Sequence, residues 1–432
     1  MDHVRDDIDF TKVLLVGLDT GEEHDFDRSM QELASLAEAA CKQVAGIITQ
    51  KTETVNKALY IGSGKVIEVR EYAQACGAEE VVFDNALTPS QVRNLGRELE
   101  LPILDRTNLI LDIFAMRART REAKLQVETA RLQYILPRLV GMRENLSRQG
   151  GTGGSMSNRG AGETKLELDR RKIEHRISEL RKELENVARV RGTMRKKRSG
   201  SMVPQVALVG YTNAGKSTIM NRMVELYGES REKTVFEKDM LFATLETHVR
   251  GINTGDSKPF FLVDTVGFIH KLPHGLVKAF RSTLEEVCYA DLLVQVVDYS
   301  DENYREQMDV TAETLKELNA GNIPQIIVYN KIDKRMSESQ TRRHGNQIFM
   351  SASQGMGVEE LIGMIKETVY ADRENIRFLI PYEKGSVTSY LMKNADVLEQ
   401  EYREDGVLLY VSCHKSDADK YRMYCCTNVG TQ

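Results

Sequence analysis

Short apolar runs separated by amphipathic stretches set the first rhythm of the chain. Lys12–Gly17, Val44–Thr49, Val81–Phe83 and Ile103-Leu104 are strand-sized, and Ser29–Lys42, Lys65–Ala75 and Pro89–Glu100 between them carry helical spacing. Such alternation predicts a small parallel α/β sheet. From Thr107 the pattern becomes that of one long helix to about Leu139, interrupted only near its end by Pro137. A polar, glycine-dense tract follows, Gly150–Gly162, and then a second long helix. On that helix Leu166, Ile173, Ile177, Leu180, Leu184 and Val187 recur at seven-, four- and three-residue steps. The seam predicts coiled-coil packing, hence an antiparallel hairpin with the glycines at its tip. Arg195–Ser201 reads as a linker. Residues 203–370 again alternate strands and helices, and residues 376–426 read as strand, helix (Ser386–Glu399) and strand. The expected organisation is α/β throughout. An N-terminal α/β domain (1–106) precedes a helical hairpin (107–198, tip 149–164). A second α/β domain (199–372) and a small C-terminal α+β domain (373–432) follow.

Composition narrows the class. The 432 residues are 41% apolar and 28% charged, enough for large cores and against wholesale disorder. The longest uncharged apolar stretches, such as Leu292–Val297, fall far short of the roughly 20 residues a membrane helix needs. Met1–Phe10 is acidic and has no apolar segment, unlike a secretory or organelle leader. Cys41, Cys76, Cys288, Cys413, Cys425 and Cys426 form no C-x-x-C pair, which fits a reducing cytoplasm. The net charge of −5 is unevenly distributed: residues 131–200 hold 18 Lys/Arg against 8 Asp/Glu, leaving 41 basic and 56 acidic residues elsewhere. A basic segment in an acidic protein suggests a local polyanion contact, although the same residues would suit a solvated helix face.

The chemistry gathers in the second α/β region. Gly210-Tyr211-Thr212-Asn213-Ala214-Gly215-Lys216-Ser217 matches G-x-x-x-x-G-K-[ST], follows the apolar run Val206–Val209 and precedes a helix-compatible run from Thr218 to Leu226. Glycines there let backbone amides turn toward phosphate oxygens, and a helix N-terminus adds positive potential. Lys216 is the candidate bridge to the β- and γ-phosphates, and Ser217 the candidate Mg²⁺ ligand. Phe260–Asp264 ends in Asp264-Thr265-Val266-Gly267, a D-x-x-G in which Asp264 is expected to hold Mg²⁺ through a water while the Gly267 amide meets the γ-phosphate. Gln325–Asn330 ends in Asn330-Lys331-Ile332-Asp333. A carboxylate at Asp333 accepts the N1 and N2 hydrogens of guanine, a donor pair adenine lacks, with Asn330 and the stem of Lys331 bracing the base. Gln347–Met350 leads to Ser351-Ala352-Ser353, whose backbone is expected at the guanine O6. Five apolar runs thus end in Gly210, Asp264, Asp298, Asn330 and Ser351, and open α/β sheets bind ligands at the carboxyl ends of their strands. Together these features predict a domain that binds and hydrolyses GTP with Mg²⁺.

A threonine between the glycine-rich loop and Asp264 is expected to complete the Mg²⁺ shell. Thr234, Thr244 and Thr247 are candidates. Thr244, within Phe242-Ala243-Thr244-Leu245-Glu246, leads because it lies just before an expected strand ending near Arg250. Phe268 follows the D-x-x-G where Ras-like enzymes place a water-orienting Gln, so intrinsic hydrolysis is expected to be slow and to need a partner. Asn213 is either a ligand for a monovalent cation such as K⁺ or a loop-bracing Asn. Weaker signals read more simply: Gly62-Ser-Gly-Lys65 as a strand-to-helix turn, and His270 and His274 as an H-x-x-x-H without a third metal ligand.

With these motifs in place the chain resembles the HflX family of ribosome-associated P-loop GTPases. The resemblance is carried by Gly210–Ser217, Phe242–Glu246, Asp264–Phe268 and Asn330–Asp333. More particular are Ile61–Val66, Asp84-Asn85, Leu104–Thr107, Gln133–Leu139 and Arg159-Gly160-Ala161-Gly162-Glu163-Thr164. Family members commonly read A-T-L-D-P-T where this chain has Ala243-Thr-Leu-Glu-Thr-His248. The resemblance implies a monomeric cytoplasmic GTPase that binds the large ribosomal subunit and its rRNA, associates with ribosomes or membrane, and splits stalled ribosomes under stress. It also implies a hairpin tip near the peptidyl-transferase centre and links the N-terminal domain to ATP binding and RNA unwinding. Arg148, Arg159, Gly160, Gly162 and Lys165 become the candidate RNA contacts: glycines for close approach, cations for phosphate. A large-subunit assembly GTPase and a nucleotide-gated RNA adaptor are the alternatives.

Overall fold

The computed structural model describes residues 10–21, 25–148, 157–199, 203–228, 241–242, 247–256, 258–271, 286–335 and 341–426. The chain divides into two compact units. The first comprises Met1–Arg189 with Phe236–Glu246 and Val266–Leu284; the second comprises Val190–Val235, Thr247–Thr265 and Glu285–Gln432.

In the first unit β1 (Thr11–Asp19), α1 (Phe26–Ala39), β2 (Lys42–Lys51), α2 (Ser63–Cys76), β3 (Glu80–Phe83), α3 (Pro89–Leu99) and β4 (Ile103–Asp105) build the expected parallel sheet, in the order β2-β1-β3-β4. Val13–Val16 of β1 are fully buried, as the apolar run requires. Thr88 caps α3 in a reciprocal capping box with Gln91, and Pro89 supplies a preset first turn.

Two features of the helical region differ from expectation. The long helix from Thr107 is two helices, α4 (Arg106–Arg117) and α5 (Arg121–Arg148). The chain leaves the helix at Ala118, which is extended, and Thr120 restarts it by accepting from the Ala123 amide. The second helix, α6 (Ser157–Ser199), begins inside the glycine tract and runs through most of the expected linker. Helical Gly160 and Gly162 cost about 1 kcal/mol each relative to Ala, a penalty that adding turns to an existing helix offsets. Residues 149–156 of the expected tip lie outside the described residues. The helices α5 and α6 run antiparallel: Arg121 pairs with Glu183, and Glu128, further along α5, pairs with Arg176, further back along α6. On the seam Ile177 and Leu180 are buried while Ile173, Leu184 and Val187 are half-buried.

A buried ion cluster closes the carboxyl edge of this unit's sheet. Arg106, 1% exposed, reaches Asp84 at 2.8 Å and Glu32 at 2.7 Å. Ser29 donates to Asp84 at 2.7 Å, Lys271 pairs with the same carboxylate, and Arg106 also donates to the His270 carbonyl at 3.0 Å. Burial pushes Asp84 up, but Arg106 and Lys271 outweigh it and hold the carboxyl below its ordinary 3.8. Beside it, Asp105 caps α4 and accepts from Arg138, whose guanidinium lies 3.3 Å from the Tyr134 ring centre, while Tyr134 donates to Asn108.

The second unit carries β5 (Gln205–Gly210), α7 (Lys216–Tyr227), β6 (His248–Ile252), β7 (Phe260–Asp264), β8 (Leu292–Asp298), α8 (Tyr304–Glu317), β9 (Gln325–Asn330), β10 (Arg342–His344), β11 (Gln347–Phe349) and α9 (Val358–Val369). Its seven strands are ordered β10-β11-β9-β8-β5-β7-β6, antiparallel only at the two edges. Val206, Leu208, Val294, Val328 and Ile348 point to one core with Ile219 and Leu361. A separate three-stranded sheet, β12-β14-β13, follows: β12 (Arg373–Ile380), α10 (Gly385–Asn394), β13 (Asp396–Arg403) and β14 (Gly406–His414), then α11 (Lys415–Lys420). The helix expected over Ser386–Glu399 therefore stops at Asn394. Ala395 is extended, and the residues after it pair antiparallel with β14, where ladder bonds override a helical pattern.

Candidate functional site

The site grows from the ends of β5, β7, β8, β9 and β11. Parallel strands in this order bring Gly210, Asp264, Asp298, Asn330 and, just past β11, Ser351 to one edge of the sheet. Gly210 leaves β5 at φ 141°, and a Cβ there would lie 2.2 Å from the Val296 carbonyl oxygen. Gly215 at φ 97° is the N-cap of α7 and makes no side-chain cap; a Cβ there would lie 2.2 Å from Asn330 Nδ2. Only glycine fits at both, and the turn leaves the amides at the start of α7 directed outward.

Lys216, the first residue of α7, is 6% exposed and donates to the carbonyls of Gly210 at 3.1 Å and Tyr211 at 2.7 Å. Burial brings its pKa down to about 8, opposed by Asp264 and reinforced by Lys331. Ser217 Oγ donates to Asp264 Oδ2 at 2.7 Å, so the two expected Mg²⁺-side oxygens already face one another. A hydroxyl beside a buried carboxylate is a donor set that suits a hard divalent cation, and the residues present fit Mg²⁺. Thr265 donates to the Leu208 carbonyl at 2.6 Å, pinning the end of β7 to β5. Tyr211, Thr212 and Ala214 are buried, Asn213 is exposed in the left-handed region, and Thr218 is half-buried.

On the base side, Asn330 donates to the Ala214 carbonyl at 2.9 Å and accepts from the Ala352 amide at 3.0 Å, joining glycine-rich loop, base loop and Ser351–Ser353 through one side chain. Lys331 Nζ donates to the Asn213 carbonyl at 2.7 Å and pairs with Asp298 at 2.7 Å. Ile332 is fully buried and seats a single 3₁₀ turn that presents Asp333, which accepts from Ser351 Oγ. Ser353 is exposed and lies 3.1 Å from Ser351 through its hydroxyl. Arg222 of α7 donates to the carbonyls of Ala352 and Ser353, propping that loop. The sequence reading assigned no role to Arg222 or Asp298; the position of Asp298 at a strand end was the available signal.

Apart from Thr247, the remaining expected residues lie outside the described residues or in the first unit. Ala243, Thr244, Leu245 and Glu246 lie outside the described residues, as does Thr234; Thr247 is half-buried before β6. Phe242 is buried in the first unit, its ring edge-on to Phe114 at 4.8 Å. Val266, Gly267 and Phe268 are buried there too. Arg148 closes α5, and Arg159, Gly160, Gly162 and Lys165 lie in the first turns of α6. In the N-terminal sheet the Gly62 amide donates to Gln50 at 2.9 Å and Lys65 pairs with Glu68, as a strand-to-helix turn would have them. Among the described residues there is no group of three or more potential metal ligands among His, Cys, Asp and Glu, and no helix long and apolar enough to cross a membrane.

Comparison with known proteins gives this geometry its context. Three family models match in succession: GTP-binding GTPase N-terminal over residues 27–115, GTP-binding GTPase Middle Region over 117–198, and 50S ribosome-binding GTPase over 205–331. A protein named GTPase HflX from Caldanaerobacter subterraneus subsp. tengcongensis is 43% identical over 381 residues, 88% of this chain and 86% of that protein. The GTPase HflX of Escherichia coli K12 is 39% identical over 383 residues, 87% of each chain. A GTP-binding protein from Sulfolobus solfataricus in complex with GDP is 24% identical, covers 83% of this chain and 98% of its own, and superposes with a TM-score of 0.43.

Proposed function

From a chain that belongs to the HflX family of GTPases, and therefore binds guanine nucleotide and hydrolyses GTP, we infer a factor that docks on the large ribosomal subunit and splits stalled ribosomes. The observation that carries this reading is the joining of two parts in one polypeptide: strand-end residues suited to phosphate and guanine on the second unit's sheet, and a basic pair of antiparallel helices with a glycine-dense stretch of sequence between them.

At the nucleotide edge, the outward amides of Gly215–Ser217 and the Lys216 ammonium take the β- and γ-phosphates, trading two carbonyl partners for anionic oxygens. Ser217, Asp264 and Thr244 would hold a Mg²⁺ ion, Asp264 through a water. When bound, the ion neutralises charge developing between the β- and γ-oxygens. The Gly267 amide meets the γ-phosphate, and loss of that group releases the segment after it. Asp333 selects guanine, with Ser351 already donating to its carboxylate and Ala352 bracing Asn330. Phe268 offers no polar atom to orient a water, so the ribosome stimulates turnover. The Asn213 side chain ligates K⁺, its carbonyl being engaged by Lys331. At the hairpin, Arg148, Arg159 and Lys165 meet rRNA phosphates while Gly160 and Gly162 allow close approach. The protein acts as a monomer in the cytoplasm.

The deciding experiment measures GTP hydrolysis with and without ribosomes and then runs the mixture on a density gradient. Stimulated turnover with 70S particles resolving into subunits supports splitting. Stimulation with preference for immature large subunits and intact 70S particles would point to assembly instead. Binding without turnover would leave an adaptor. Equal turnover in KCl and NaCl would remove K⁺ from the account.

A further inference from the structure

We propose that Asp298 is a positioning residue of the nucleotide pocket, acting through Lys331 to hold the glycine-rich loop against the guanine side. The inference rests on the guanine-nucleotide reading and extends it to a residue outside the usual motifs. Lys331 sits in the left-handed region at φ 64°, which few non-glycine residues adopt without surrounding constraint. Its ammonium has two partners at 2.7 Å, the Asn213 carbonyl in the loop and Asp298 Oδ2 at the end of β8. The ion pair is largely shielded, with side-chain exposures of 16% and 17%.

Asp298 is itself fixed. Its other oxygen accepts from the Ser300 amide at 3.0 Å and from the Ser300 hydroxyl. Asp298 and Asn330 are register partners, and the Tyr299 amide bonds the Asn330 carbonyl at 2.9 Å. The carboxylate is thus a rigid post on the central sheet, and Lys331 is the flexible arm tying the loop to it. Asn330 makes the parallel tie, to Ala214. With the post removed, the four-carbon arm keeps one neutral acceptor, the Asn213 carbonyl, and its ammonium is no longer held in place against the loop.

The test follows release of N-methylanthraniloyl-GDP after mixing with excess GDP. Asp298→Ala is expected to speed release about tenfold, the scale of one charge-assisted hydrogen bond, while Asp298→Glu keeps it within about threefold of wild type. In a Lys331→Met background, Asp298→Ala should add less than about twofold, because a residue acting through Lys331 has nothing further to lose. Unchanged release from folded Asp298→Ala, or a full tenfold effect in the Lys331→Met background, overturns the proposal. Should Asp298→Ala fail to fold, Asp298→Asn, which keeps an acceptor for Ser300 and drops the charge, is judged by the same thresholds. Asp333→Asn tests the underlying reading separately: it should move preference toward xanthosine nucleotides, and unaltered guanine preference would sink that reading whatever Asp298 does.

Discussion

Arg106 and Lys216 are both buried cations, and the chain treats them in opposite ways. Arg106 faces Asp84 and Glu32, so its charge is answered inside the protein. Lys216 faces two neutral carbonyls, and burial draws its pKa down to about 8 despite Asp264. A buried charge that the fold compensates is a fastening. One left with carbonyls can answer an anion brought from outside, and the proposed site gives that part to a nucleoside triphosphate.

The contrast breaks most readily by removing each cation. Lys216→Met should lower GTP turnover by about 10³-fold or more while leaving nucleotide-free melting equal or higher, since a desolvated ammonium is gone. Steady-state hydrolysis and thermal unfolding together check it, and a large drop in melting temperature would make Lys216 a fastening after all. Arg106→Met should do the reverse, costing about 3–5 kcal/mol of stability by removing the buried cation that Asp84 and Glu32 share, as urea titration of the first unit's signal would read.

Titration sharpens the same comparison. Between pH 8 and 10.5 the unfolded chain keeps the Lys216 proton that the folded chain has released. Nucleotide-free stability should therefore rise with pH across that window relative to Lys216→Met, by at most about 3 kcal/mol. A bound triphosphate restores the proton, so GTP affinity should fall as pH climbs past about 8, by up to tenfold per unit. Calorimetry in buffers of different ionisation heat would detect the proton uptake, and its absence would contradict the assignment. Asp84 gives the same slope in a lower window: its contribution is present above pH 3.8 and is lost as pH falls through its depressed folded value.

A third kind of cation gives the smallest effect. The proposed reading gives Arg159 an rRNA phosphate as partner, and Arg159→Glu should weaken ribosome co-sedimentation several-fold with a shallower salt dependence, GTP affinity being unchanged. Unaltered sedimentation at moderate salt would count against the hairpin as an RNA contact.

These classes were legible in the sequence to different degrees. The nucleotide edge was readable because each motif is local: a strand, a glycine or carboxylate at its end, a helix after it. Asp84 and Arg106 stood out only as motif residues, because their partners are remote. Lys271 is 187 residues from Asp84, and no local pattern announces such a pair. The break at Ala118 is not legible because Ala118-Arg119-Thr120 holds no proline or glycine. β13 is hard to read because Asp396–Arg403 is exposed apart from half-buried Asp396 and Leu398, which leaves little alternation. The start of α6 is not legible because glycine reads as a stop signal, which holds for isolated turns and fails where a long helix can absorb the penalty.

That uninterrupted α6 has a mechanical consequence. At 1.5 Å per residue its 43 residues make a rod roughly 65 Å long, with glycines at one end and the glycine-rich loop's strand just beyond the other. A hydrogen-bonded rod of that length is stiff, so a load applied at its glycine end would shift or turn the helix as a whole.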